Sequence, residues 1–319
     1  MDARPKEIPA PLRIGVLPVR DFALMSYAAV CEPLRAANLL AERTLYEVVN
    51  IAVTADPVAS SGAASVTPQA RVGDDLRLDY LFVIAGGELA RGGDRPMLAW
   101  LARQAREGVR MAGISGGPVL LARAGLMAGR RMTVHWEYAS ALAEISPDLR
   151  VERTLYVIDG DRITCAGGTA PLDLMHALIA QHHGEGFARR VSDWFMHTDI
   201  RPPIGPQRAG LVERVGCTVP AVLDAVEAME THVAGTLTLD QLATLAGLSA
   251  RQLNRLFRDK LGRSTMQYYR ELRLERAQRL LRNSPLSLTE IALATGFSSS
   301  SHFSRVYSAH FGHPPSAYR

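Results

Sequence analysis

The chain is predicted to fold as an α/β domain, a parallel sheet sandwiched by helices, followed by an all-α domain with two helix-turn-helix motifs. Three observations carry this expectation. Short apolar runs alternate with amphipathic stretches through the first 200 residues. A proline-rich seam, "DIRPPIGPQRAGLVERVGC", follows at Asp199–Cys217. Beyond it the apolar periodicity is helical throughout, and one segment recurs about 50 residues later. A length of 319 residues admits two domains, and 47% hydrophobic content supports a buried core.

In the first half, "LRIGVLPV", "YEVVNIAVT", "DYLFVIAGG", "VRMAGIS" and "DRITCAGG" read as strands, being apolar runs bounded by turn residues. The stretches "SYAAVCEPLRAANLLAER", "RPMLAWLARQAREG", "GPVLLARAGLMAG", "WEYASALAEIS" and "APLDLMHALIAQHHG" read as helices. Such alternation implies a parallel sheet with helices on both faces. Ligands in these sheets bind beyond the carboxyl ends of the strands. Gly86-Gly87, Ser115 and Gly167-Gly168 all lie there. The most site-like stretch is "AGISGGPVLLARAGLMAG", Ala112–Gly129, where a strand enters a tight turn with Ser115 at its tip.

The prolines and the scarcity of bulky apolar residues mark the seam as a linker. The expected division is a domain over 1–200, a linker over 201–218 and a second domain over 219–319.

In the second domain Leu239 matches Leu288, Ala243 matches Ala292, Gly247 matches Gly296 and Ser249 matches Ser298. One inserted residue later, Leu253 matches Phe303, Leu256 matches Val306, Phe257 matches Tyr307 and Gly262 matches Gly312. Each copy is a short helix, a glycine turn, a serine N-cap and a second helix, which is a helix-turn-helix. The second helix of that motif enters the major groove. Arg251, Gln252 and Arg255 point away from the apolar side. Arginine can bond guanine, and glutamine adenine, in bidentate fashion. Arg258 and Lys260 are expected to touch phosphates. The second copy's helix is expected to begin after Ser298 and to expose Ser299, Ser300, Ser301, His302 and Arg305, a less discriminating face. A merely solvated helix face is the alternative for all these polar residues. The long helix over Thr265–Pro285 carries arginines at 273, 276, 279 and 282, which drift around it. Most are expected to face solvent and some the DNA backbone.

Charge agrees with this division. Residues 1–218 hold 24 basic and 24 acidic side chains, and residues 219–319 hold 12 and 8. From Leu239 onward the balance is 12 against 5. A compact basic segment fits a polyanionic partner, and on charge alone a solvated basic face fits equally. No run of about 18 apolar residues marks a membrane span. The N-terminus does not read as a secretory signal. Cys31, Cys165 and Cys217 are scattered and odd in number, which suits a reducing cytoplasm rather than a disulfide framework. No metal-ligand spacing is evident, and neither a metal nor a cofactor is expected.

The segments "AGLSARQLNRLFRDKLGRS", "LRLERAQRLL" and "GFSSSSHFSRVYSAHFGHPPSAYR" resemble the AraC/XylS transcription regulators. That resemblance implies a two-lobed domain whose reading helices enter successive major grooves of double-stranded DNA, and a bacterial source. The first half resembles the PfpI/ThiJ-like, class I amidotransferase-like superfamily, with its flavodoxin-like sheet. The residues that carry this are "IAGGE" and "GISGGPVLLARAGLMAGRRMTVHW". The two halves joined are similar to the GlxA-type group, of which "EPLRAAN" and "GGTAPLDLM" also look typical.

The enzymes of the superfamily carry cysteine, often followed by histidine, where this chain has Ser115 and Gly116. A cysteine there reacts as thiolate. A serine is not ionised by a helix dipole and needs a base within reach. The acidic residue often found after the first strand is missing from "PVRDFALMSY", which leaves His135 as the candidate base. An enzyme is therefore not expected. The alternative is a hydrolase or amidotransferase-like enzyme with Ser115 as nucleophile.

The expected ligand site comprises Gly87, Ser115, the backbone N–H groups of Gly116 and Gly117, His135, Trp136, Glu137 and Thr169. The helix N-terminus favours a carboxylate. Trp136 can stack on an ammonium group that Glu137 pairs with. Together they suit an amino acid or a quaternary amine as effector. Against this, Trp136 also reads as a core aromatic, Glu137 as a solvated helix residue, and Gly167-Gly168-Thr169 as a mere turn and cap. The resemblance further implies a homodimer, with RNA polymerase as an additional partner.

Overall fold

In the computed structural model, which describes residues 10–87 and 94–318, the chain divides into two units after Gln207. The strands of the first unit are β1 (Leu12–Pro18), β2 (Tyr46–Ala52), the short β3 (Val58–Ala59), β4 (Ser65–Val66) and β5 (Ala70–Arg71), then β6 (Tyr80–Ala85), β7 (Arg110–Ser115), β8 (Arg131–Thr133), β9 (Arg150–Glu152), β10 (Tyr156–Asp159) and β11 (Arg162–Cys165). Its helices are α1 (Leu24–Leu40), α2 (Arg95–Arg106), α3 (Gly117–Arg123), α4 (Trp136–Ile145), α5 (Ala170–His183) and α6 (Glu185–Trp194).

Seven strands form one sheet in the order β10-β11-β7-β6-β1-β2-β5. Every pairing from β11 to β5 is parallel, and β10 runs antiparallel to β11 at the edge. The five strands expected from sequence are β1, β2, β6, β7 and β11. Strand β6 is buried at every residue, as a central parallel strand covered on both faces must be. Alternate residues point to opposite faces. Val16, Phe82 and Ile114 share one core with Leu34 of α1 and Leu174 of α5. Leu17, Leu81, Val83 and Met111 share the other with Trp100 of α2 and Leu120 of α3. Strand β10 lies outside the sequence expectation. Its signal is "VIDGDRI", an Asp-Gly turn with Gly160 at φ +66° between two alternating runs.

The seam is not a free linker. Residues 201–207 belong to the first unit, held by Arg201 and Gln207. Leu211 and Val215 pack with Cys217 against the core of the second unit. The expected 201–218 segment is thus shared between the units, because its polar side chains find buried acceptors and its apolar ones find a core.

The second unit contains α7 (Leu211–Val215), α8 (Pro220–Thr231), α9 (Leu239–Leu245), α10 (Ala250–Leu261), α11 (Thr265–Asn283), α12 (Leu288–Ala294) and α13 (Ser300–Phe311), and ends in a 3₁₀ turn at Pro315–Tyr318. Side chains cap each motif helix: Thr238 for α9, Ser249 for α10, Ser287 for α12 and Ser299 for α13. The repeat is therefore real, with one correction. The cap equivalent to Ser249 is Ser299 rather than Ser298. The inserted residue sits in the turn, where Phe297 and Ser298 stand in place of Leu248 alone. A second correction concerns Arg273, which turns inward to bond the carbonyls of Thr295 and Gly296 instead of facing DNA or solvent.

Candidate ligand pocket and nucleic-acid interface

Ser115 ends β7 with φ +60°, a left-handed conformation uncommon for a residue with a side chain, and is only 5% exposed. The turn is tight because two neighbours lack side chains. A Cβ on Gly117 would stand 2.0 Å from the Val83 carbonyl oxygen, and one on Gly167 would stand 2.6 Å from Ser115 Cβ. The strand end, the elbow and the β11–α5 turn thus meet at one point. The Ser115 carbonyl accepts the His135 N–H at 3.3 Å, which brings the start of α4 to the same place. One expected donor is lost: the Gly116 N–H bonds the Ala85 carbonyl at 3.0 Å, so it serves the sheet and not a ligand.

The other strand ends close around the elbow. A Cβ on Gly86 would lie 2.7 Å from the Asp21 carbonyl oxygen, so the loops after β1 and β6 touch. The Tyr138 hydroxyl donates to the Gly87 carbonyl at 3.2 Å, and the Gly168 N–H donates to Ser26 Oγ at 3.0 Å. Trp136 is 37% exposed, with its ring centroid 5.2 Å from that of His135, so it is not a core residue. Glu137 is half-buried beside it. Burial pushes the His135 imidazole below its usual pKa, so the ring is neutral at pH 7. Its Nδ1 accepts the Glu137 N–H at 3.4 Å, which leaves the proton on Nε2. Among the described residues, no imidazole or carboxylate hydrogen-bonds Ser115 Oγ. Thr169 is exposed and does not cap α5 with its side chain; its hydroxyl accepts from Arg201 at 2.9 Å.

Four residues near this elbow were not expected from sequence. Asp173 of α5 is fully buried and accepts four hydrogen bonds: from the Arg201 N–H at 2.9 Å, Arg201 Nε at 3.0 Å, Arg201 Nη2 at 2.6 Å and His197 Nε2 at 2.8 Å. Gln207 Nε2 donates to Thr133 Oγ1, the Val134 carbonyl and the Thr154 carbonyl at 3.0, 3.1 and 2.7 Å. Both fasteners therefore hold residues 201–207 against the first unit, one at Thr169 and one next to His135. Asp173 did leave a signal: a carboxylate on the apolar side of "APLDLMHALIA" must be paired.

In the second unit α10 exposes more cationic side chains than α13. Arg251, Arg255 and Arg258 are exposed and fall within about 60° of one another around the helix. Leu253 and Phe257 are fully buried on the other side. Lys260 is exposed near the C-terminus of α10. Gln252 is exposed too, but its Oε1 accepts from the Ser249 N–H at 3.0 Å and the Ser249 hydroxyl at 2.7 Å. It closes a capping box, so the expected bidentate adenine contact would require breaking that cap. On α13, Ser301, His302 and Arg305 are exposed and Ser300 is half-buried. Ser299 accepts the His302 N–H at 3.2 Å and is the cap of the helix, not part of its exposed face.

A parallel α/β unit with a tight strand-to-helix elbow at its strand ends, joined to two capped helix-turn-helix motifs, defines a DNA-binding transcription regulator. Residues 22–181 match the DJ-1/PfpI family, and residues 242–319 match a helix-turn-helix domain family. The chain is 48% identical to the HTH-type transcriptional regulator GlxA of Rhizobium meliloti, over 96% of this chain and 95% of that one. It is 41% identical to the HTH-type transcriptional regulator CdhR of Pseudomonas aeruginosa, over 92% and 88%. A crystal structure of an AraC family transcriptional regulator from Pseudomonas putida matches with a TM-score of 0.52 and 25% identity, covering 58% of this chain and all of that one. The chain belongs to the GlxA-type regulators, in which a DJ-1/PfpI domain precedes an AraC-type helix-turn-helix domain. Among the described residues, no helix is long and apolar enough to cross a membrane.

Proposed function

We propose that the first unit is a catalytically silent sensor of a small nitrogen-containing metabolite, an amino acid or a quaternary amine. Binding at Ser115, Trp136 and Glu137 changes how the second unit is presented to an operator. The protein acts in the cytoplasm as a homodimer, with RNA polymerase as a further partner. Arg251 and Arg255 read bases, while Arg258 and Lys260 hold phosphates; Ser301, His302 and Arg305 contribute at the second half-site.

The carrying observation is the elbow itself. It retains the tight strand-to-helix turn, yet its serine has no base on it among the described residues, and the neutral His135 presents a donor rather than an acceptor. What is left is a binding pocket with an exposed tryptophan and a carboxylate at its mouth. Coupling needs a different ligand affinity in the two presentations of the second unit. The Arg201 and Gln207 fasteners support such coupling, because they tie the exit segment to the same rim that a ligand would press on.

Thermal-shift screening of the full chain against amino acids, betaines and other small amines tests this reading, since a true ligand raises apparent stability by mass action. A hit that also changes operator affinity is the expected result. A second reading, the hydrolase, draws on the left-handed backbone of Ser115, a conformation shared with nucleophile elbows. Ester or amide turnover that Ser115→Ala abolishes would establish it.

A further inference from the structure

We infer that a seam built from Tyr269, Arg273 and Gly296 sets the spacing between the two DNA half-sites that this chain accepts. Helix α11 joins the two helix-turn-helix lobes and carries Tyr269 and Arg273 one turn apart, on the same side of the helix. The Tyr269 hydroxyl donates to the His232 carbonyl and accepts the Leu237 N–H at 3.3 Å. It thereby pins both ends of the loop between α8 and α9. Arg273 Nε donates to the Thr295 carbonyl at 2.7 Å, and Nη2 donates to the Gly296 carbonyl. The guanidinium carbon also lies 4.3 Å from the centroid of the Phe297 ring. Arg273 thereby holds the turn between α12 and α13.

Gly296 closes the seam. It sits at φ +73°, and a Cβ there would stand 2.6 Å from Thr236 Cγ2 and 2.7 Å from the Val233 carbonyl oxygen. The turn of the second motif therefore lies directly on the loop that Tyr269 pins in the first. One lobe cannot rotate against the other without breaking a clamp or parting this backbone contact.

The consequence follows from DNA geometry. Inserting one base pair between half-sites moves the second by about 3.4 Å and turns it by about 35°. Lobes locked through two clamps and a glycine contact cannot follow that movement while both α10 and α13 stay in their grooves. The seam residues touch no base in this scheme; they act through the positions of the two reading helices.

The test uses the full-length chain and a duplex enriched from a random pool by the wild-type protein. One base pair is then added to, or removed from, the segment between the two protected halves. The wild type is expected to lose about tenfold in affinity on each altered duplex, comparable with a mismatched base pair. Arg273→Lys keeps the charge but loses the fork, and Tyr269→Phe keeps the ring but loses the hydroxyl. Each is expected to shrink the spacing penalty to less than about threefold, while Arg251→Ala, whose base pair is the same in the parent duplex and its two spacing variants, weakens those three by a common factor and leaves the spacing penalty intact. Thermal melting confirms that each variant is folded, and Tyr269→Phe, lacking a single oxygen, covers the case of an unfolded Arg273→Lys. A wild type indifferent to spacing overturns the inference. So do folded seam variants that retain the full penalty or lose affinity equally on all duplexes.

Discussion

Gln252 Oε1 lies 2.7 Å from the hydroxyl of Ser249, the cap of the first reading helix. An amide committed to that cap cannot at the same time grip adenine through both its oxygen and its nitrogen. Gln252→Ala should therefore lower stability by about 1 kcal/mol and leave base preference intact. Arg251→Ala should do the reverse, relaxing preference at one base pair by about 1–3 kcal/mol. Melting curves, with competition binding on single-substitution duplexes, separate the two. A preference lost with Gln252 at an A·T pair would return that side chain to the reading face.

Lys260 carries charge without a fork for base edges. Lys260→Ala should weaken specific and random duplexes by the same factor and reduce the salt slope of log affinity by about one. Binding measured across a salt series on both kinds of duplex checks this.

Ser115 is buried where three strand ends and α4 meet, so a bulkier side chain displaces any occupant. Ser115→Leu should abolish the thermal shift caused by the effector while operator binding without effector persists. An unaltered shift would move the ligand site elsewhere.

Arg201 and Gln207 hold residues 201–207 beside Thr169 and His135. Gln207→Ala leaves the Thr154 and Val134 carbonyls without this donor, and Arg201→Ala leaves the fully buried Asp173 with His197 and the backbone N–H of residue 201 but without the guanidinium. Effector should still stabilise the Gln207→Ala protein, but its effect on operator affinity should fall toward zero. Arg201→Ala should in addition be destabilised by about 1–3 kcal/mol, because it takes the guanidinium donors from a fully buried carboxylate. A full response in Gln207→Ala would show that coupling runs by another route.

His182 bonds the Tyr46 hydroxyl through Nδ1 at 3.0 Å and the Tyr80 hydroxyl through Nε2 at 2.8 Å. Burial, helped by His183 and Arg110, pushes its pKa down to about 4 from 6.5. Between these values the unfolded chain binds a proton that the folded chain refuses, so stability rises with pH across the window and is lost as pH falls from about 6.5 to about 4. Urea midpoints measured through that range should show the loss, and His182→Gln should make the profile shallower. Equal slopes would assign the acid sensitivity to other groups.

The central strands were legible because each is an apolar run longer than chance, closed by glycine or aspartate. The helix-turn-helix pair was legible because a cap, a glycine turn and a buried aromatic recur in order. Strand β10 was passed over although Asp159-Gly160 marks its turn. The Arg201 and Gln207 fasteners left no such mark: their partners lie 28 and 74 residues away along the chain. At the elbow, the fold does bring Ser115, His135 and Trp136 together, whereas the state of their polar groups was not readable.

Local pattern was enough to establish an α/β unit, a basic helical unit and its two helix-turn-helix motifs, the second to within one residue of its cap, because periodicity and capping act within a few residues. Folding decided which polar groups were already engaged. The Gly116 N–H went to the sheet, the Gln252 amide to its own helix cap and the Arg273 guanidinium to the second motif's turn. A hydrogen-bonding group is satisfied by whatever the fold brings within about 3 Å, and that neighbour is invisible until distant segments meet.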